Sequence, residues 1–515
     1  MKKKNILFAS LLVAAGLTSC DMDKYPYNSI EESQYMQQVS DFQAARYGLY
    51  SNFRALTTGG YVLYPEMQAD DFYGTTDQGN YYGDLYRWNI QTGSGDVSTW
   101  WSSYYSTIAR CNYYIDSYNK VISGEVAGFS EANIAEINNY AAEAYFVRAY
   151  SYYQLAIMFC QPYDSSSAAS TLGLPLQLTY APTSDSSQYP GRSTQEATFA
   201  QITSDLSKAS ELLETVYAFG ENATDALYYI TPDAITALQA RVALYMKDYP
   251  TAISASTSLI NSGDYALVND AETYRGIWEL DNGAETIWQI YMSNPNELGS
   301  ATGLYFHGQY GMELQTPSYF PSQTVLDMYD AEKDIRYAAF FADAFYQAST
   351  GASGDIVIFD KYPGNPTMGL NSDNHYVNMS KPFRIAEQYL IAAEAYTESG
   401  NVTEGAKYLN DLRTARIADY KATSFSNVEI LRNAVRDERH KELIGEGFRL
   451  TDLKRWNVGM DRGNNSQNDD LTYMPGAATS TGLSVAAGDY RFTWPIPQSE
   501  IDTNPQIKGQ QNPGY

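Results

Sequence analysis

The pattern that most limits what this chain can fold into is a set of helices whose inner faces are built from alanine. From Asn138 to Phe159, the residues Ala141, Ala142, Tyr145, Phe146, Ala149, Tyr152, Tyr153 and Ala156 recur at spacings of three and four. That is the period of one helix face. Gln161-Pro162 ends the run, since proline cannot continue a helix. Small-residue faces return in two hairpins. Thr231-Pro232 offers a capping hydroxyl followed by a proline suited to the first turn. Ala237, Ala240, Ala243, Leu244 and Tyr245 line the helix that follows, and a turn at Lys247 to Pro250 leads into a second helix ending near Gly263. The design repeats over Pro382 to Ser399 and Val402 to Ile417. Here Ala386, Leu390, Ala393 and Ala395-Tyr396 face Ala406, Leu409, Leu412 and Ala415.

Small residues at a helix crossing, with an aromatic near the turn, resemble tetratricopeptide (TPR) packing. The expected fold is mainly α, a TPR-like helical-hairpin scaffold within about 139–263 and 382–445. The units are separated by long insertions rather than strung at a strict period, so a pure solenoid is excluded. A helix from Thr194 to Ala218 is expected after a Ser- and Pro-rich loop at 163–192. Residues 264–381 read as a loop-rich insertion, with a short alternating strand signal from Glu285 to Tyr291. Residues 457–515 are rich in Gly, Asn and Pro and read as irregular.

The beginning of the chain reads as an address. Lys2, Lys3 and Lys4 precede an apolar run from Ile6 to Leu17. That run is too short for a membrane-spanning helix, which needs about 20 residues, and has the form of a secretory signal peptide. Leu17-Thr18-Ser19-Cys20 resembles a lipobox, so residues 1–19 are expected to be removed and Cys20 to be lipidated. Residues 20–38 then form a tether. Acyl chains on Cys20 would hold the protein on a membrane, each buried methylene contributing about 0.8 kcal/mol.

Charge narrows the partners. With 34 basic and 60 acidic side chains the net charge is −26, which repels nucleic-acid phosphates. Tyrosine is abundant, at 47 residues, and pairs a flat apolar face with a polar hydroxyl. That combination suits sugars as well as helix packing. Cys111 and Cys160, in apolar-aromatic helical contexts, are expected to be buried free thiols.

Signatures of catalysis are lacking. His307, His375 and His440 have no metal-ligand spacing, and neither a GxSxG elbow nor a P-loop is present. No metal or cofactor is expected, and His440 is expected to be structural. Asp70-Asp71 is the one carboxylate pair that invites a glycosidase reading, but adjacent side chains point in different directions and do not flank one bond by being neighbours. One of the two serves more readily as an acceptor for sugar hydroxyls. The strongest binding feature is Tyr61 to Tyr105, where 12 of 45 residues are aromatic against 14% for the chain. Asp71, Gln78 and other polar residues are interleaved there with Tyr73, Tyr81, Tyr82, Trp88 and Trp100, and Gly83 marks an exposed turn. Trp100-Trp101 opens a helix running through Tyr104, Tyr105 and Ile108, so at least one of the two is expected in the core.

Several segments, in order, resemble the SusD/RagB family of Bacteroidetes outer-membrane nutrient-binding lipoproteins. They are Glu143-Ala144-Tyr145-Phe146-Val147-Arg148-Ala149-Tyr150, the helix from Arg384 to Ala395, and Glu438-Arg439-His440-Lys441-Glu442-Leu443 with Glu446-Gly447-Phe448-Arg449 and Asp452-Leu453-Lys454-Arg455-Trp456. The ending resembles the family too, in Pro495-Ile496-Pro497-Gln498-Ser499-Glu500-Ile501, Asn504-Pro505 and Gln511-Asn512-Pro513-Gly514-Tyr515. Cys160-Gln161-Pro162 departs from the glycine-containing turn common there.

The resemblance implies one SusD-like domain over 39–515 whose irregular insertions form a ligand-binding face. It implies a non-enzymatic lipoprotein, anchored in the outer membrane and facing the exterior. Such a protein binds an oligosaccharide or polysaccharide and hands it to a SusC-like TonB-dependent transporter. Asp21 and Asp23 fit the acidic export signal of such lipoproteins. Capture of a peptide or other non-glycan nutrient, as in the RagB branch, and action as a glycan enzyme remain as alternatives. The implied ligand contacts are Asp71, Tyr73, Gln78, Tyr81, Tyr82, Trp88 and Trp100, joined by Tyr305, His307 and Tyr310 from a second loop region. The charged residues Glu438, Arg439, Glu442, Glu446, Arg449, Asp452 and Arg455 are expected to form an architectural network between helix and tail, since partly buried arginine and carboxylate need each other.

Overall fold

The computed structural model describes residues 35–215, 226–300, 317–368, 376–463, 465–473 and 484–515, and the backbone of 314–315. The signal peptide, Cys20, most of the tether and the loop carrying Tyr305, His307 and Tyr310 lie outside the described residues. The fold is mainly α: among the described residues about 53% are helical and the sheets are small.

Its spine is a stack of antiparallel helices. Helices α1 (Val39–Leu56), α2 (Gly60–Gln68) and α3 (Gly95–Ile122) lead to the long α4 (Glu131–Phe159). Helix α4 packs against α3 on one side and α5 (Gln195–Thr215) on the other. The hairpin α6 (Pro232–Met246) and α7 (Tyr249–Ser262) follows, and then α8 (Ile385–Glu398), α9 (Val402–Arg416), α10 (Val428–Leu443) and α11 (Arg449–Trp456). Helix α7 packs directly on α8, so the insertion leaves the stack and the chain rejoins it where it left.

The alanine faces make this possible. Ala240 and Ala243 of α6, Ala252 and Ala255 of α7, and Ile391 and Ala395 of α8 form one buried cluster, where short side chains let three backbones meet closely. Polar side chains cap the helix starts, at Thr231 as its sequence indicates. The Thr231 side chain accepts from Ala234 N, Asp248 from Thr251 N and Asn401 from Glu404 N. Helix α4 starts earlier than its apolar period indicates. Ser130 and Asn133 form a reciprocal capping box, and the polar first turns carry no core face. Cys111 and Cys160 are buried and free.

Short strands tie the irregular segments to one another. Strand β1 (Phe72–Gly74) pairs antiparallel with β5 (Tyr319–Pro321); β2 (Leu172–Pro175) pairs with β3 (Arg192–Thr194), and β4 (Thr286–Trp288), within the expected strand signal, with β8 (Phe383–Arg384). The stretch read as loop-rich also holds a regular hairpin, β6 (Phe341–Gln347) and β7 (Ser353–Phe359), turned around the small residues 348–352.

The charged signature folds into a buried knot. Glu442 is fully buried and accepts from Arg384 (3.0 Å), Arg336 (3.2 Å), Arg416 (3.0 Å) and the Tyr274 hydroxyl (3.1 Å). Glu438 pairs with Arg336 at 2.7 Å and Arg413 at 2.6 Å, and Glu446 with Arg384 at 2.6 Å and Lys361 at 2.8 Å. The network was expected to join helix and tail. It instead joins α8, α9 and α10 to the insertion, which supplies Arg336, Asp334 and Glu285. Asp452 holds Arg439 and Arg455, and Arg455 also pairs with Glu394.

The tail has a different task. The last turn of α4 exposes carbonyls with no helical partner. Lys454 Nζ donates to Ile157 O (2.7 Å) and Cys160 O (2.6 Å), Trp494 N to Met158 O (2.8 Å), and Asn512 Nδ2 to Phe159 O (2.8 Å).

Candidate functional site

The aromatic-rich stretch after α2 divides into an inner and an outer part. Strand β1 is wholly buried, and its neighbours go inward with it. Asp71 is fully buried; its Oδ1 hydrogen-bonds to His440 Nε2, and its carbonyl accepts from Ser322 N at 2.9 Å. Tyr73 is fully buried as well, its hydroxyl donating to Arg462 O (2.9 Å) and Gly463 O (2.7 Å). Burial first, with Tyr86 nearby, pushes that hydroxyl up to about 12. Trp88 packs edge-on against Phe492 at 4.8 Å. Trp100 lies among Tyr61, Tyr64, Tyr104 and Trp494 and borders an interior cavity of about 90 Å³. Gln78 is buried beneath the turn that follows β1. These five were expected to meet ligand. The structure buries all five; for Asp71 and Tyr73 this follows from the pairing of β1 with a strand of the insertion.

The outer part is Tyr81-Tyr82. Both rings are half-buried. Their centroids are 4.1 Å apart with the planes tilted by 41°, and the Tyr81 hydroxyl donates to that of Tyr82 at 2.8 Å. Tyr64 meets Tyr82 edge-on at 5.1 Å, and the Tyr319 hydroxyl donates to Tyr81 O. Burial and the neighbouring hydroxyls push the Tyr82 hydroxyl well above its ordinary value, so it stays a neutral donor and acceptor at physiological pH.

The local sequence fixes this pose. Asn80 and Tyr82 have positive φ, 63° and 49°, a conformation asparagine tolerates and a bulky aromatic does not favour. Tyr82 is held there against a cost of order 1–3 kcal/mol. Gly83 starts the short helix Gly83–Tyr86. A Cβ on it would lie 2.2 Å from Asn80 Oδ1, the oxygen that accepts from Arg87 Nη2 at 2.5 Å. The glycine therefore leaves room for the Asn80–Arg87 hydrogen bond that spans the two tyrosines in sequence.

A carboxylate knot lies at the C-terminal end of α2 and just after it. Arg449 donates to both oxygens of Asp70, at 2.7 and 2.9 Å. Glu66, fully buried, accepts from Gly447 N at 2.6 Å and Gly445 N at 3.3 Å. Both glycines have positive φ, 84° and 75°. Burial and then the Asp71 charge push the Glu66 carboxyl well above its ordinary value. Asp70, Asp71 and His440 bring ligand-type atoms within 4.8 Å of one another, but Arg449 and the histidine already engage the two aspartates. His440 therefore has a structural partner, as expected, though sequence gave no sign that it was Asp71.

Comparison with known proteins places this architecture. One family model, described as "SusD family", matches residues 328–515. Another, described as "Starch-binding associating with outer membrane", matches residues 30–244. SusD-like protein P38 of Formosa agariphila is 24% identical over 89% of this chain and 92% of its own length. Among solved structures, a SusD superfamily protein from Bacteroides thetaiotaomicron superposes with a TM-score of 0.75 at 27% identity, covering 92% of this chain and 100% of that one. A SusD-like carbohydrate binding protein from Bacteroides vulgatus gives a TM-score of 0.73 at 20% identity, over 92% and 98%. The chain belongs to the SusD family.

Proposed function

We propose that this chain is a non-catalytic glycan-capture lipoprotein. It holds an oligosaccharide or polysaccharide at the exterior face of the outer membrane and passes it to a SusC-like TonB-dependent transporter. The observation that carries the reading is the Tyr81-Tyr82 platform. Two half-buried rings with joined hydroxyls combine an apolar surface and the hydrogen-bonding groups a sugar needs. Family membership and the names of the relatives support a carbohydrate as the ligand. The carboxylates supply the argument against hydrolysis. A glycosidase needs two of them facing the sugar, and here Asp70 is clamped by Arg449 while Asp71 is buried against His440. An array of glycans probed with the mature chain should give selective binding, and mass spectrometry of the bound glycan should return it intact. Shortened products would make the protein an enzyme.

The anchor is a separate expectation. Among the described residues no helix is long and apolar enough to cross a membrane, and the resemblance of Leu17-Thr18-Ser19-Cys20 to a lipobox supports attachment through Cys20. Cys20→Ala should move the protein from the membrane fraction to the soluble one, read by fractionation and by mass of the N-terminal peptide. A mutant that stays membrane-bound would assign the anchoring to something other than the acyl chains.

A further inference from the structure

We infer a second saccharide site in the groove between α3, the loop 176–190 and the C-terminal helix Gln498–Thr503. The inference rests on the glycan-capture reading for its ligand class and on separate residues for its place. Successive residues on a helix point about 100° apart. Trp100 of α3 turns toward Tyr64 and the tyrosine platform, while Trp101 turns to the groove. The groove holds about 580 Å³, within the usual 300–1,000 Å³ of small-ligand sites.

Its floor is Trp101 and Tyr105, with ring centroids 4.7 Å apart. Tyr180, 39% exposed, and the half-buried Tyr189 stand on its wall. The loop that carries them is anchored before any ligand arrives. Tyr152 bonds to both N (2.8 Å) and O (2.7 Å) of Gln177, Asn112 donates to the same oxygen (2.9 Å), Tyr105 donates to Pro175 O (2.9 Å), and Tyr180 N donates to Asp116 (2.6 Å). With the backbone tied inward, Gln177, Thr179 and Gln188 are exposed and free of the entropy cost of ordering a loop.

The charge pattern selects the occupant. Among the described residues, Glu500 is the one charged side chain lining the groove. Its oxygens accept from Trp101 Nε1 at 3.4 Å and Asn504 Nδ2 at 3.3 Å. Both are long beside the 2.7–2.9 Å of a fully engaged charge-assisted bond, so the carboxylate keeps capacity for hydroxyl donors. Aromatic planes, neutral amides and hydroxyls, and one acceptor carboxylate complement a neutral polyol. An acidic glycan would meet Glu500 and the chain's charge of −26 and be repelled.

Hydrogen exchange of the mature chain tests this. It should be followed peptide by peptide with maltoheptaose, cellohexaose, xylohexaose and mannohexaose as probes. At least one probe should slow exchange in 176–190 as well as in 78–96. Tyr180→Ala combined with Gln188→Ala should weaken the first protection about tenfold or more and leave the second in place. Protection confined to 78–96 overturns the groove and keeps the platform. Protection confined to 176–190 does the reverse, and none in either region with any probe overturns both.

Discussion

Replacing Glu442 with alanine is expected to destabilise the protein by about 3–5 kcal/mol, the usual cost of leaving buried charge unpaired. Three arginines converge on that carboxylate, and all three are fully or almost fully buried. Removing it brings Arg336, Arg384 and Arg416 together with one negative charge fewer between them. Total stabilities of about 5–15 kcal/mol make such a loss visible in thermal unfolding and in yield. Glu429, exposed in the first turn of α10, is the control; its alanine variant should stay within about 0.5 kcal/mol of the parent. Equal melting temperatures for the two variants would remove the network from the stability account. The pH dependence has a definite sign. Burial works against charge on Glu442, and Arg416 and Arg384 outweigh it, holding the carboxyl well below its ordinary value of 4.5. A depressed folded-state pKa means the contribution is complete above the ordinary value and is lost only as pH falls through the lowered one. The parent should therefore keep this contribution from neutrality down to mild acid and lose it in strong acid.

Tyr82→Ala should weaken glycan binding by tens-fold, since loss of one aromatic anchor commonly costs about 2 kcal/mol or more. The structural cost is smaller. Tyr82 is half-buried, and its edge-on contact with Tyr64 is worth about 0.5–1.5 kcal/mol beyond its buried area. Calorimetry with the glycan selected on an array, beside a melting curve of each variant, separates the two effects. Tyr82→Phe refines the result: it keeps the ring and removes the hydroxyl that accepts from Tyr81. An intact affinity in Tyr82→Ala would remove the platform from the site; a collapse in melting temperature would make Tyr82 a core residue.

The helical scaffold was legible because alanine at three- and four-residue spacing has one reading, a close helix crossing, and the caps confirm it at Thr231 and Asn401. The charged signature was legible as a network but not in its partners. Arg336 and Glu285 lie in the insertion without a local pattern, and only the tertiary fold brings them to Glu442 and Arg416. The same limit explains Asp71 and Tyr73. A mix of acids and aromatics reads alike whether it faces water or core. What buried it was pairing of Phe72–Gly74 with Tyr319–Pro321, a contact too distant in sequence to leave a local trace. The hairpin Phe341–Gln347 with Ser353–Phe359 was missed for another reason: its outer strand positions are only partly polar, so alternation is weak. Tyr81-Tyr82 stays only half-buried, but Gly83, read as an exposed turn, is buried and opens the helix Gly83–Tyr86; the turn itself is made by Asn80 and Tyr82, whose φ is positive.

The bonds that finish α4 have a consequence for how the molecule is closed. Three of the groups that satisfy its final carbonyls arrive from Lys454, Trp494 and Asn512. The helix is made in the first third of the chain, and its last donor comes three residues before Tyr515. The end of α4 is therefore completed only by groups that lie far along the sequence from it. Loss of Asn512 would act on the centre of the molecule, as a core substitution would.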